Sequence, residues 1–218
     1  MMETSERRDI VGMYSKLALV YDAWTRLTER ESLHAALERA AIRDGEAVLE
    51  VAVGTGVLFQ EILRRNPSGR NVGIDLTEPM LQRARHKARQ TGAPFELIVG
   101  DARALSFGAG SFDLVVNNNM FGLLPEPEFA PILSEMWRVL RPGGRIVLAM
   151  MMRPDRLLPD LVYRFGAVWL GGWREVRIEP FVLAAGFLAL ESQLVAQLGI
   201  PSEILVARKP DSTAPRGS

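Results

Sequence analysis

From about Glu46 to Met152, short β-branched runs alternate with longer segments whose apolar positions recur at helical spacing. Ala47-Val48-Leu49-Glu50-Val51-Ala52 predicts a first strand and Leu58 to Arg65 a helix. Val72-Gly73-Ile74-Asp75 predicts a second strand, followed by a helix from about Glu78 to Gln90. Phe95 to Val99 predicts a third strand. Phe112 to Val116 predicts a fourth, after the glycine-rich loop Phe107-Gly108-Ala109-Gly110. A helix from about Pro127 to Leu140, a turn at Pro142-Gly143-Gly144 and a strand from Arg145 to Met151 complete the alternation. Strands and helices alternating at this length imply βαβ units, and hence a parallel sheet with helices on both faces.

The pattern changes after that. A helix is expected from about Ile178 to Ala185, ending at Gly186. The runs Phe187 to Val195 and Glu203 to Arg208, with Gly199-Ile200-Pro201 between them, are close enough only for an antiparallel hairpin. The expected class is therefore α/β, a seven-stranded doubly wound sheet that is mainly parallel with an antiparallel C-terminal hairpin. Upstream, Ile10, Tyr14, Leu17, Tyr21 and Trp24 step by 4, 3, 4 and 3, an apolar stripe on one helical face. That stripe either packs on the domain or lids a cleft. The expected divisions are 1–45 as a helical lid segment, 46–209 as the main domain, and 210–218 as a polar, proline-rich disordered tail.

Composition narrows the chemistry. Lys plus Arg number 26 and Asp plus Glu 26, a zero net charge that argues against nucleic acid as a partner. Cysteine is absent, which removes disulfides, thiolate zinc sites and cysteine nucleophiles. His34 and His86 are the two histidines, so a multi-histidine metal site is excluded and no metal is expected. Met1 to Asp9 lacks the apolar core of a signal peptide. The most apolar stretch, Leu157 to Trp173, is 17 residues with Pro159, Asp160 and Arg164 inside it, short of the roughly 20 apolar residues of a spanning helix. The expectation is a cytoplasmic protein with at most peripheral membrane contact.

The candidate site begins at the turn Val53-Gly54-Thr55-Gly56, where the first strand passes into a helix. In an open α/β sheet, ligands bind beyond the carboxyl ends of the strands near such a turn, and glycine lets backbone N–H groups approach them closely. The same two glycines would also serve a tight turn with nothing bound. Asp75 closes the second strand 19 residues beyond Gly56, where a carboxylate can accept both ribose hydroxyls. Asp101 follows the third strand, placed to accept from the exocyclic amine of adenine. Each aspartate alone could instead cap a helix or shape a turn. Together, three consecutive strand ends describe an adenosine site. The third glycine of a dinucleotide fingerprint is missing, since Val57, Leu58 and Phe59 follow Gly56, and so is the phosphate-loop pattern. An adenosine cofactor without phosphates remains, which also disfavours a nicotinamide-dependent reductase.

The series Glu50-Val51-Ala52-Val53-Gly54-Thr55-Gly56, Gly73-Ile74-Asp75-Leu76-Thr77-Glu78-Pro79-Met80-Leu81, Gly100-Asp101-Ala102, Ser111 to Val116 and Arg138-Val139-Leu140-Arg141-Pro142-Gly143-Gly144 resembles the class I S-adenosylmethionine-dependent methyltransferases. Within them it is most similar to the ubiquinone/menaquinone-biosynthesis methyltransferases and to bacterial phospholipid N-methyltransferases. Tyr14-Ser15-Lys16-Leu17-Ala18-Leu19-Val20-Tyr21-Asp22 resembles the N-terminal segment of that group. The resemblance implies a Rossmann-like fold and S-adenosylmethionine as cofactor. It implies that Glu50 and the Gly54-Thr55-Gly56 loop hold the methionine portion, with Asp75 on the ribose and Leu76 and Met80 against the adenine. Asp101 and the Ala102 N–H would meet the adenine, Asn117 would line the reactive end, and Tyr14 and Tyr21 would reach in from the lid. Ala52 and Val53 depart from the family, which has glycine and often cysteine there. The methyl group of Ala52 demands an ordinary backbone conformation and a slightly reshaped turn.

Methyl transfer from a sulfonium needs in-line positioning and no acid for the leaving thioether, so a base is needed only if the nucleophile must lose a proton. The sequence offers no catalytic residue. His34 reads as structural or solvated, and His86, among Arg83, Arg85, Lys87 and Arg89, reads as exposed. Asn118, Met120, Phe121, Trp169 and Trp173 are the expected substrate contacts, on the Asn117-Asn118-Asn119-Met120 run and the apolar segment near Met150-Met151-Met152. Core packing is the alternative for those apolar residues. The activity expected is methylation of a small, mainly apolar organic acceptor such as a quinol or phenol. The alternatives are a phospholipid N-methyltransferase and a non-catalytic S-adenosylmethionine-binding module.

Overall fold

A computed structural model describes residues 29–154 and 177–211, with 158, 160, 161, 163 and 164 between them. Helix α1 (Arg30–Ala40) is followed by β1 (Ala47–Val51), α2 (Val57–Arg65), β2 (Arg70–Asp75), α3 (Glu78–Arg89) and β3 (Glu96–Val99). Then come β4 (Phe112–Asn118), two 3₁₀ turns (Phe121–Leu123 and Glu126–Glu128), α4 (Phe129–Val139), β5 (Leu140–Met151), α5 (Glu179–Ala184), β6 (Leu188–Gln197) and β7 (Ile200–Arg208). The strands form one seven-stranded sheet in the order β3-β2-β1-β4-β5-β7-β6. The first five are parallel, and β7 runs antiparallel to both β5 and β6. This is the Rossmann-like doubly wound sheet expected, and the order reverses beside β1, the switch point where such sheets bind ligands.

β1 is buried at all five positions, as a parallel strand covered on both faces must be. Glu50 is its single charged residue. Helices cover the sheet through apolar stripes, Leu58, Phe59, Ile62 and Leu63 on α2 and Phe129, Ile132, Leu133, Met136 and Val139 on α4. Helix α1 packs Leu33, Ala36, Leu37 and Ala40 into the cluster formed by Val48, Leu114, Val147 and Ile204. Thus the described part of residues 1–45 lies on the sheet. Tyr14, Tyr21 and the rest of the stripe fall outside the described residues, as do Phe165, Trp169, Trp173 and the tail from 212.

Two local expectations change. The Pro142-Gly143-Gly144 turn does not precede β5 but lies inside it, as an irregularity between the pairs Phe112–Leu140 and Leu114–Arg145. The reason is a partner not visible from the local sequence. The Gly143 N–H donates to the Lys209 carbonyl (3.0 Å) and the Lys209 N–H to the Gly144 carbonyl (2.8 Å), which carries the β5–β7 pairing across the bulge. At the other hairpin, Ile200 and Pro201 already belong to β7, and the turn is Leu198-Gly199, both with positive φ as a two-residue type I′ connection requires.

The amino-terminal end of the sheet is closed by satisfied polar networks. Arg145 donates to the Ala40 carbonyl (2.7 Å) and the Ala41 carbonyl (3.1 Å) and pairs with Glu46 (2.8 Å). Asn66 and Asn71 exchange bonds with each other and with the Glu46 and Gly69 carbonyls. Arg138 pairs with Glu135 and donates to the Leu105 and Phe107 carbonyls. Among the described residues no helix is long and apolar enough to cross a membrane.

Candidate active site

The opposite, carboxyl-terminal rim is tied together by side chains reaching from one strand end to the next. Past β1 the chain turns through Ala52, Gly54 and Gly56 (φ 60°, 55° and 81°) into α2. Gly56 must be glycine for contact as well as conformation, because a Cβ there would stand 2.6 Å from the Cα of Ala84 on α3. At Gly54 a Cβ would meet nothing within 4 Å and would project into open space. Ala52 corrects the sequence expectation. Its methyl group does not enforce an ordinary backbone; the residue sits in the left-handed region, at a cost of about 1–2 kcal/mol for a residue with a Cβ. The Val53 N–H bonded to the Ile74 carbonyl (2.9 Å) holds the chain in that path.

Asp75 links the turn to β2. One carboxylate oxygen accepts from the Gly54 N–H (2.8 Å), the other from the Thr77 N–H and hydroxyl (both 2.9 Å). Burial raises its carboxyl above the ordinary value, against the pull of those donors. Glu50 is buried beside it, and its Oε2 has no partner. Burial first, and the neighbouring Asp75 charge second, push its carboxyl well above the ordinary range. Two carboxyls that oppose each other's ionisation favour a positively charged guest. Thr55 is buried and its hydroxyl accepts from the Lys87 ammonium (3.1 Å).

Asn117 is fully buried as the sixth residue of β4; its amide donates to the Val51 carbonyl (2.7 Å) while its Oδ1 has no partner. Asn119, with φ 59°, accepts from the Met151 N–H (2.7 Å) through Oδ1, and its Nδ2 has no partner. Asn118 donates to Glu29 (3.0 Å), again leaving Oδ1 without a partner. Leu76 is half exposed at the rim and Met80 is buried on α3. Asp101 is held by Arg103, which also pairs with Glu128 (2.8 Å), and Ala102 is buried beside it.

Several expected contacts are displaced. Phe121, expected against substrate, is fully buried in a 3₁₀ turn and packs edge-on to Phe129, its ring centroid 5.2 Å away, as part of the main core. Met150 joins that core, and Met151 packs with Tyr163 and Ile200, so packing accounts for both. Met120 is partly buried, packed against the core. His34 is exposed 3.8 Å from Glu38, and His86 lies on the exposed side of α3. Sequence reasoning missed Glu29, Thr77, Arg103 and Glu128. An Asp-x-Arg spacing could have suggested Arg103, and the cap position before α1 could have drawn attention to Glu29.

The residues present fit S-adenosylmethionine. A left-handed glycine opens onto space, a carboxylate is oriented at the second strand end, and buried oxygens of Glu50 and Asn117 lack partners. Comparison with known proteins agrees. A family model described as a methyltransferase domain matches residues 48–144. A demethylmenaquinone methyltransferase of Thermus thermophilus is 36% identical over 160 residues, 70% of this chain and 70% of that protein. The ubiquinone/menaquinone biosynthesis C-methyltransferase UbiE of Dinoroseobacter shibae is 36% identical over 146 residues, 64% of this chain and 57% of that protein. Among solved structures, phosphoethanolamine N-methyltransferase 2 of Haemonchus contortus, in complex with phosphomonomethylethanolamine and S-adenosylhomocysteine, aligns with a TM-score of 0.68 at 17% identity. That match covers 84% of this chain and 53% of that one, a likeness of fold.

Proposed function

Because the chain belongs to the class I S-adenosylmethionine-dependent methyltransferases and is an enzyme of that kind, we propose that its acceptor is a small, mainly apolar ring of the quinol or phenol type. The observation that carries this reading is the character of the acceptor side. At the end of β4, Asn118 and Asn119 offer neutral amides, and the cation at the end of β5, Arg153, is engaged by Asp160 (2.8 Å). Such a surface suits a neutral hydroxylated ring better than a phosphate-bearing headgroup. The names of the demethylmenaquinone and ubiquinone/menaquinone relatives support the same class.

When bound, the cofactor supplies an electrophilic methyl group on a sulfonium. The chain's own residues bind and orient it. Asp75, fixed by the Gly54 and Thr77 donors, would take the ribose hydroxyls. Glu50 and the Gly54–Gly56 turn would receive the methionine portion, with Leu76 at the adenine and Asp101 and Ala102 on its amino edge. Asn117 would give its unpaired Oδ1 to the reactive end. Alignment of nucleophile, carbon and sulfur can supply about 7–11 kcal/mol of the barrier, and exclusion of water adds to it. Tyr14 and Tyr21 would contribute to that exclusion from the N-terminal segment.

The test is incubation with radiolabelled S-adenosylmethionine and either 1,4-dihydroxynaphthalene, kept reduced, or phosphatidylethanolamine vesicles. Label is expected on the naphthalene ring. Label on the lipid, with none on the ring, would establish the N-methyltransferase reading instead. Zero net charge argues against nucleic acid and for membrane contact that is at most peripheral.

A further inference from the structure

Glu29 caps α1 through its backbone, its carbonyl accepting from the Leu33 N–H (2.8 Å) and the Ser32 hydroxyl (2.9 Å). Its side chain does something else. The carboxyl is fully buried, one oxygen accepts from the Asn118 amide at the end of β4 (3.0 Å), and Oε1 has no partner. A buried carboxyl oxygen without a partner gives up its hydration and gains no bond in return, so a purely structural glutamate is poorly placed here. The helix it caps packs on the sheet through Leu33, Ala36, Leu37 and Ala40, and the Glu31 N–H donates to Gln197 at the end of β6 (2.8 Å). The carboxyl lies against the same strand end as the unpaired Asn117, Asn118 and Asn119 amide atoms, on the acceptor side of the rim.

We propose that Glu29 is the general base of the transfer, accepting the hydroxyl proton of a quinol or phenol acceptor held at the carboxyl end of β4; the inference rests on the quinol reading above. As the acceptor O–H bond breaks, its electron pair forms the ring carbonyl and the adjacent ring π pair forms the new carbon–carbon bond to the methyl group. The methyl–sulfur pair stays on sulfur, leaving a neutral thioether. The methylated ring carbon then loses its hydrogen as a proton to water while Glu29 returns its own proton to the oxygen. The ring is aromatic again, the carboxylate is restored, and one proton is released overall.

The environment suits that role. Burial pushes the Glu29 carboxyl up to about 7, with the hydrogen bond from the Asn118 amide pulling the other way. A base is most effective when its ionisation lies near the working pH. Among the described residues, β4 turns the neutral Asn118 amide toward the carboxyl and β6 brings Gln197 to the neighbouring backbone, while Arg30 and Glu31 are exposed.

The experiment compares the whole enzyme with Glu29→Gln and Glu29→Asp, using labelled S-adenosylmethionine and reduced 1,4-dihydroxynaphthalene from pH 5.5 to 9. In the wild type, kcat is expected to rise through a limb near pH 7. Glu29→Gln is expected to lower kcat about 100-fold or more, with KM and calorimetric cofactor affinity within about twofold, and to abolish the limb. Glu29→Asp should restore part of the rate. Infrared spectroscopy of the enzyme with S-adenosylhomocysteine should show a protonated carboxyl band that titrates over the same range and is missing from Glu29→Gln. A glutamine variant with wild-type kcat and an unmoved limb overturns the proposal while leaving the quinol reading standing. A wild type that labels lipid and not the naphthalene overturns both. Should Glu29→Gln fail to bind cofactor, Asn118→Ala decides. Loss of its donor should move the limb upward by about half a pH unit or more, and an unmoved limb counts against Glu29.

Discussion

The two ends of this sheet treat buried polar atoms in opposite ways. At the amino-terminal end, Arg145, Glu46, Asn66, Asn71, Arg138 and Glu135 complete one another's bonds. At the carboxyl-terminal rim, Glu29, Glu50, Asn117, Asn118 and Asn119 each keep one buried atom without a partner. The two other such atoms among the described residues lie toward the amino-terminal end, and both side chains are otherwise held: Arg39 pairs with Glu191, and the Trp137 ring lies under the Lys209 ammonium. Since native proteins rarely leave buried polar groups unsatisfied, their concentration at one end marks where guests complete the structure. One end holds the fold and the other carries the candidate site.

The largest effect should come from breaking the satisfied end. Glu46→Ala leaves the Arg145 guanidinium buried with only the Ala40 and Ala41 carbonyls, and should lower stability by about 3 kcal/mol in urea melts. Calorimetric affinity for S-adenosylmethionine should be unchanged, since the pair lies across the sheet from the rim.

The unsatisfied end should reveal itself through pH. Glu29 has a folded-state value of about 7 against an ordinary 4.5, and Glu50 and Asp75 are raised as well. A carboxyl raised on folding favours the native state fully below the unfolded value and loses that contribution as pH climbs through the folded one. Stability without ligand should therefore fall between about pH 4.5 and 7, by roughly 3 kcal/mol from Glu29 alone. Urea midpoints measured across that range check the slope, and Glu29→Gln should flatten it.

Asp75→Ala tests the guest rather than the host. Loss of its contacts to a ribose should weaken S-adenosylmethionine binding by about 2–3 kcal/mol, roughly 30- to 150-fold in Kd by calorimetry. Unchanged affinity would remove Asp75 from the site. The smallest effect concerns strain. Ala52→Gly should stabilise the protein by about 1 kcal/mol in thermal melts, because the left-handed conformation is open to glycine.

Much of this was legible in the sequence, for physical reasons. The apolar runs of β1, β2 and β4 and the helical stripes between them repeat at periods that dictate a doubly wound sheet. The residues at successive strand ends, Gly54, Asp75, Asp101 and Asn117, follow from where those strands stop. What stayed hidden depends on tertiary partners. Glu29 stands beside Arg30 and Glu31, and nothing in that run singles it out until α1 is laid beside β4. Phe121 reads as a substrate contact just past the asparagine run, yet a 3₁₀ turn folds it back onto Phe129. Ala52 could not be placed because the pull on its backbone comes from β2.

The position of β7 between β5 and β6 has a consequence for how the protein is made. At about 5–20 residues per second, a ribosome delivers the strands up to β6 before the one that joins β6 to the rest of the sheet. Until residue 208 has left the exit tunnel, the β5 border stays open and sticky, so a stalled or nicked chain would be a natural client for chaperones. An affinity handle appended beyond Asp211 should be harmless, whereas deletion from Ile200 onward should yield insoluble product.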